Sequence, residues 1–138
     1  MLGLARVVCD LRSDCTFPGD PGKTIKRRTR AACPVVSPAT KDPVWLPIVT
    51  ACGWVVISRD SHISSRPGEI DAVKQHGARL VVLSGKEARG PWEQLEILMA
   101  QWRRIEVQVS KPGPWIYSAT RTHLDPVQTL IHKLGLTN

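Results

Sequence analysis

Two short runs constrain this chain more than any other feature: Trp54-Val-Val-Ile57 and Leu80-Val-Val-Leu83. Neither alternates apolar with polar, so each reads as a strand buried on both faces, the mark of a parallel sheet. Parallel neighbours need a crossover. Between the runs lies Pro67-Gly-Glu-Ile-Asp-Ala-Val-Lys-Gln-His-Gly77, which reads as a helix with Pro near its start and Gly at its end. Together they predict a β-α-β unit with a right-handed crossover.

Other segments extend the alternation. Leu2, Leu4, Val7, Val8 and Leu11 mark one helical face over residues 2–12. Residues 43–52 predict a helix in which Asp42 is the N-cap, Pro43 the first helical residue and Gly53 the stop. Pro47 falls near enough to the first turn to be carried. A longer helix over 91–106 places Leu95, Leu98, Met99, Trp102 and Ile105 on one face. Cys33–Ser37 and Trp115–Ser118 are short strand candidates, and 126–134 a last helix. The pattern predicts an α/β fold, a three-layer sandwich around a parallel sheet.

A chain of 138 residues suits one domain over 1–138. Its 42% hydrophobic and 22% charged residues argue against disorder, collagen and coiled coil. No apolar run reaches the roughly 20 residues a membrane span needs. Arg6 interrupts the apolar N-terminal stretch, so no signal peptide is read, and the expected location is cytoplasmic with reduced thiols. Cys9, Cys15, Cys33 and Cys52 form no C-x-x-C pair, which argues against zinc.

The charge is lopsided: 19 Lys and Arg against 12 Asp and Glu, a net +7. Such a surplus favours polyanionic partners, nucleic acid first. It is densest in residues 13–32, where Gly19, Gly22, Pro18 and Pro21 accompany Lys23, Lys26, Arg27, Arg28 and Arg30. This stretch reads as a long, exposed basic loop, with Lys26, Arg27 and Arg28 as candidate phosphate contacts.

In an open parallel sheet, sites form beyond the carboxyl ends of the strands. Ser58-Arg59-Asp60-Ser61-His62 follows the first buried run directly. A carboxylate at Asp60 suits a divalent cation, and Arg59 or His62 suits phosphate. The bland reading is that Asp60 caps a turn. Asp42 could be a second metal-binding acid, although an N-cap role worth about 1 kcal/mol explains it fully. Glu69 and Asp71 open the following helix, where acids also suit the helix dipole. His76, His123 and His132 read as solvated. No P-loop, G-x-G-x-x-G, H-E-x-x-H or G-x-S-x-G occurs.

The stretch Lys41-Asp42-Pro-Val-Trp45-Leu-Pro47, then Gly53 through Asp60, then Ile63, Arg66-Pro67-Gly-Glu69 and Gly77 through Leu83, resembles a subgroup of PIN-like domains. The likeness covers about residues 40–105. The helix at 2–12 and the Phe17–Gly22 loop resemble a branch of the same subgroup. PIN-like domains are small metal-dependent ribonucleases, and many are toxins of VapC-type toxin–antitoxin pairs. The resemblance implies Mg²⁺ or Mn²⁺ held by Asp42 and Asp60, with Glu69 as a third catalytic acid. It implies that Arg59 and Arg66 stand near the site, where with His62 they are candidate RNA contacts, and that an antitoxin protein is a partner. The family opens with a strand that ends in an acid. Here Met1 already stands at the following helix, so that strand is expected to be missing, with an open slot in the sheet and little activity. The rival readings are a non-catalytic nucleic-acid-binding or regulatory module on the same fold, and a structural relic.

Overall fold

The computed structural model describes residues 2–25, 27–37, 42–59, 67–84 and 88–127. In chain order the elements are α1 (Leu2–Leu11), β1 (Lys23–Ile25), β2 (Arg28–Arg30), α2 (Asp42–Ala51), β3 (Val56–Ser58), α3 (Pro67–His76), β4 (Arg79–Leu83), α4 (Pro91–Val109), β5 (Trp115–Ala119) and β6 (Leu124–Pro126). The first residue of α2 is Asp42 itself, and the helix runs through Pro47 to Ala51 although that ring removes one main-chain donor.

The predicted β-α-β unit is present. β3 and β4 are parallel, with Val56 opposite Leu80 and Ser58 opposite Val82. β4 pairs in parallel with β5, and β6 closes the sheet antiparallel, giving the order β3-β4-β5-β6. The expected slot is absent among the described strands. β4 bonds β3 on one side and β5 on the other, so its backbone groups are satisfied without a further strand.

Alternation along β4 divides the core. Leu80 and Val82 join Ile116 of β5, Leu46 of α2 and Val73 of α3 on one face. Val81 and Leu83 join Trp115 and Ala119, Leu4 of α1 and Ile97, Leu98 and Ile105 of α4 on the other. Burial on both faces is why the β4 run does not alternate, whereas β3, last in the strand order, is only half-buried and Trp54 before it is exposed. α4 runs antiparallel to the strands. Its last residue, Val109, gives its carbonyl to Arg79 at the start of β4, and the same guanidinium donates to the Gly53 carbonyl beyond α2. α1 runs parallel to α4. Gly3 lies against Pro91 at one end, and Arg12 stacks 4.6 Å over the Trp102 ring toward the other.

Residues 13–32 are not a structureless loop. β1 and β2 pair antiparallel, with Lys23 opposite Arg30 and Ile25 opposite Arg28. Gly22 lets the two arms come together at the open end of the hairpin: its φ is +83°, and a Cβ there would fall 2.7 Å from the Arg30 carbonyl oxygen. Arg30 and Asp20 are both buried and paired, an arrangement that a count of exposed cations does not reveal.

Three smaller expectations also change. Cys33–Ser37 is not a strand, yet Cys33 and Val35 are buried against Val49 of α2, with Val56 of β3 packed alongside. Met99 is 70% exposed, because the buried face of α4 runs through Gln94, Ile97, Leu98, Gln101 and Ile105. The two glutamines fit there because Gln94 donates to the Ala88 carbonyl and Gln101 to that of Thr120. On α1, Leu4 and Cys9 are buried while Val7 and Leu11 face solvent. Most of the expected last helix, from residue 128 on, lies outside the described residues. No helix among the described residues is long and apolar enough to cross a membrane.

Candidate active site

The carboxyl edge of the parallel strands is where the candidate residues were expected. β3, β4 and β5 end there at Ser58, Leu83 and Ala119. The sequence brings two helices to the same place. α2 passes into β3 through a tight turn, with Gly53 N–H donating to the Thr50 carbonyl at 2.9 Å and Trp54 N–H to that of Val49 at 3.2 Å. Its C-terminus is therefore at the amino edge, and Asp42 at the opposite end. α3 enters β4 equally tightly, Ala78 N–H donating to the Val73 carbonyl at 3.0 Å. Its first turn, with Glu69, also lies at the carboxyl edge. Leu46 and Val73 pack on the same strand residues, so both helices cover one face.

The backbone thus brings the positions of Asp42 and Glu69 to one end of one face, beside Ser58 and the exposed Arg59. Asp60, His62, Arg66 and Lys26 lie outside the described residues. Arg27 and Arg28 are exposed, but not at this edge. Their hairpin is tied to the C-terminal end of α1, where Arg30 donates to the Cys9 carbonyl. Arg27 and Arg28 therefore lie away from the helix starts that carry Asp42 and Glu69.

Sequence reasoning passed over a row of hydroxyls. Ser58 and Ser118 flank Val82 in the register, and Ser84 follows two residues after it. Alternation puts all three on the face covered by α2 and α3. The Ser84 and Ser118 hydroxyls are hydrogen-bonded to each other, and Ser84 N–H donates to the Ala119 carbonyl at 3.0 Å. The signal in the sequence was a polar residue continuing the two-residue period beyond each apolar run.

Cys9 and Cys15 are not candidates for nucleophilic chemistry. Burial pushes Cys9 up to about 11 and Cys15 up to about 12, so both stay protonated at neutral pH. All four cysteines are free. Among the described residues no three His, Cys, Asp or Glu side chains gather as a metal site. The candidate acids offer carboxylate oxygens, the donor type that Mg²⁺ and Mn²⁺ take, so the set fits such a cation in kind only when Asp60 is included.

A family model described as PIN like domain matches residues 24–85, somewhat under half of the chain. The match runs from the β1–β2 hairpin through β4, and takes in Asp42, Asp60 and Glu69. It supports a PIN-like domain in a mixed α/β chain with a parallel-containing sheet. No curated protein and no solved structure matches the chain.

Proposed function

We propose that the chain is a PIN-like, three-layer endoribonuclease that depends on Mg²⁺ or Mn²⁺, of the kind found as toxins paired with protein antitoxins in the cytoplasm. The observation that carries this reading is the family match over the segment that sets the N-termini of α2 and α3 at the carboxyl edge. Asp42 and Asp60 hold the cation and Glu69 serves as a third acid. Arg59, His62 and Arg66 meet the phosphates of the RNA. A bound divalent cation supplies an activated water and stabilises the oxygens of the displacement.

A second reading is a nucleic-acid-binding module without catalysis. It is favoured by the exposed Arg27 and Arg28, held on an anchored hairpin away from the acids.

One experiment separates the two. Cleavage of an unstructured RNA is followed with Mg²⁺ or Mn²⁺, alongside Mn²⁺ binding by titration, for the wild type and for Asp42→Asn, Asp60→Asn and Glu69→Gln. The ribonuclease reading expects metal-dependent cleavage and Mn²⁺ binding, both lost in the Asp42 and Asp60 variants. RNA binding with neither cleavage nor Mn²⁺ uptake overturns it in favour of the second reading.

A further inference from the structure

Of the five tryptophans, Trp92 is the most exposed, at 75%. Three of the others have work in the fold. Trp115 is buried and donates to the Lys111 carbonyl, Trp102 lies under Arg12, and Trp45 packs beside the core. Trp54 is half as exposed, at 37%. Trp92 stands at the second residue of α4, off the face defined by Gln94, Ile97, Leu98, Gln101 and Ile105. A lone exposed ring is common on a protein surface, but here the exposed Arg89 stands three residues before it.

Its position is specific. Val109, at the far end of α4, meets the start of β4, so the first turn of α4 lies toward the carboxyl edge. Arg89 stands just before that turn and is exposed. Met99 and Arg103 continue the same flank of the helix at i+7 and i+11, and both are exposed. The acids nearby are engaged elsewhere. Glu96 is paired with Arg121 at 3.0 Å, and the Glu93 carboxylate lies back over Gly90 at the helix N-terminus.

We infer that Trp92 is a stacking platform for an unpaired base of single-stranded RNA, with Arg89 meeting the adjoining phosphate. An exposed aromatic ring with an exposed arginine three residues before it, on a chain of net charge +7, is the chemistry that holds single strands without reading their sequence. The choice of RNA over another polyanion rests on the ribonuclease reading. Trp92 is thereby a binding residue toward the same edge of the sheet as the N-termini of α2 and α3, on the opposite face, and absent from the set the sequence suggested.

The test is binding in EDTA, where cleavage plays no part. Fluorescence anisotropy follows a labelled, unstructured oligoribonucleotide and, separately, its duplex. Trp92→Ala should weaken single-strand binding by about 5- to 100-fold and leave duplex binding unchanged, with Trp92→Phe keeping most of the affinity. Arg89→Ala should lower the slope of log affinity against log salt by roughly 0.7. Equal melting temperatures establish that the variants are folded, and Trp92→Gln replaces any that is not. Unchanged single-strand affinity in Trp92→Ala overturns the platform alone, even when cleavage persists. Equal losses for single strand and duplex also overturn it. Wild-type protein that binds neither RNA also overturns the platform, while the ribonuclease reading stands or falls separately on the cleavage assay with Mg²⁺ or Mn²⁺.

Discussion

Arg30 holds Asp20 with two nitrogens inside the protein. Nε donates to Oδ2 at 2.6 Å and Nη2 to Oδ1 at 3.0 Å. The third nitrogen, Nη1, donates to the Cys9 carbonyl near the end of α1. Asp20 also accepts from the Thr16 hydroxyl and the Gly22 N–H, each at 2.9 Å. Two opposite charges taken out of water are tolerable only when paired and fully hydrogen-bonded, as these are. The pair converts a run of glycines, prolines and cations into an ordered hairpin pinned to a helix.

Removing one partner should be much worse than removing both. Arg30→Ala leaves a buried, uncompensated carboxylate and is expected to destabilise the protein by about 3–5 kcal/mol. Arg30→Met combined with Asp20→Leu should cost less than the single change. Urea titration of the three variants checks this. A single variant within about 0.5 kcal/mol of wild type would show the pair to be dispensable.

Stability should fall in acid because of the same group. Burial pushes the Asp20 carboxyl up, but hydrogen bonds from Arg30, Gly22 and Thr16 outweigh it and hold the carboxyl below its ordinary value. A carboxyl depressed in the folded state binds fewer protons there than in the unfolded chain. Its contribution is therefore complete above the unfolded value, near 3.9, and is lost as pH falls toward the folded one. Asp20→Asn should be less stable at neutral pH and show a shallower acid limb when melting temperature is followed against pH. An acid limb as steep as wild type would place the effect in other carboxylates.

The hairpin cations should affect binding without affecting folding. Arg27 and Arg28 are exposed. Their replacement by Ala, together with Lys26, is expected to leave the melting temperature unchanged and weaken RNA binding about equally for all sequences. Each lost phosphate contact should lower the salt slope by roughly 0.7 on single strands. An unchanged slope would remove the hairpin as a contact surface.

Much of the scaffold was legible in the sequence because it rests on short-range rules. The apolar runs gave β3 and β4, and Pro67 with Gly77 bounded α3. What escaped depended on contacts between distant residues. Arg30 looked like one more surface cation because Asp20, ten residues away, is a partner only once the hairpin has formed. Met99 fits the same helical stripe as Leu98 and Trp102, and only the docking angle of α4 sets it outside. At the site, spacing put Asp42 and Glu69 at helix starts, whereas their arrival at one end of one face follows from tight turns at Gly53 and Ala78. The Ser84–Ser118 pair needed the register of β4 against β5, which no local pattern encodes.

The direction of the helices has a consequence for how this molecule meets a charged partner. α2, α3 and α4 all run against the strands, and α1 runs with α4, so the four N-termini look the same way. Their peptide dipoles add instead of cancelling, each placing about half a positive charge at the carboxyl edge. At the other edge the Arg79 guanidinium covers carbonyls at the negative ends of α4 and the turn after α2. An approaching polyanion would thus feel a torque as well as an attraction, and the protein would turn its carboxyl edge toward it before contact. Orientation during diffusion would then come from the topology of the main chain, and would survive any substitution on the surface that leaves the helices in place.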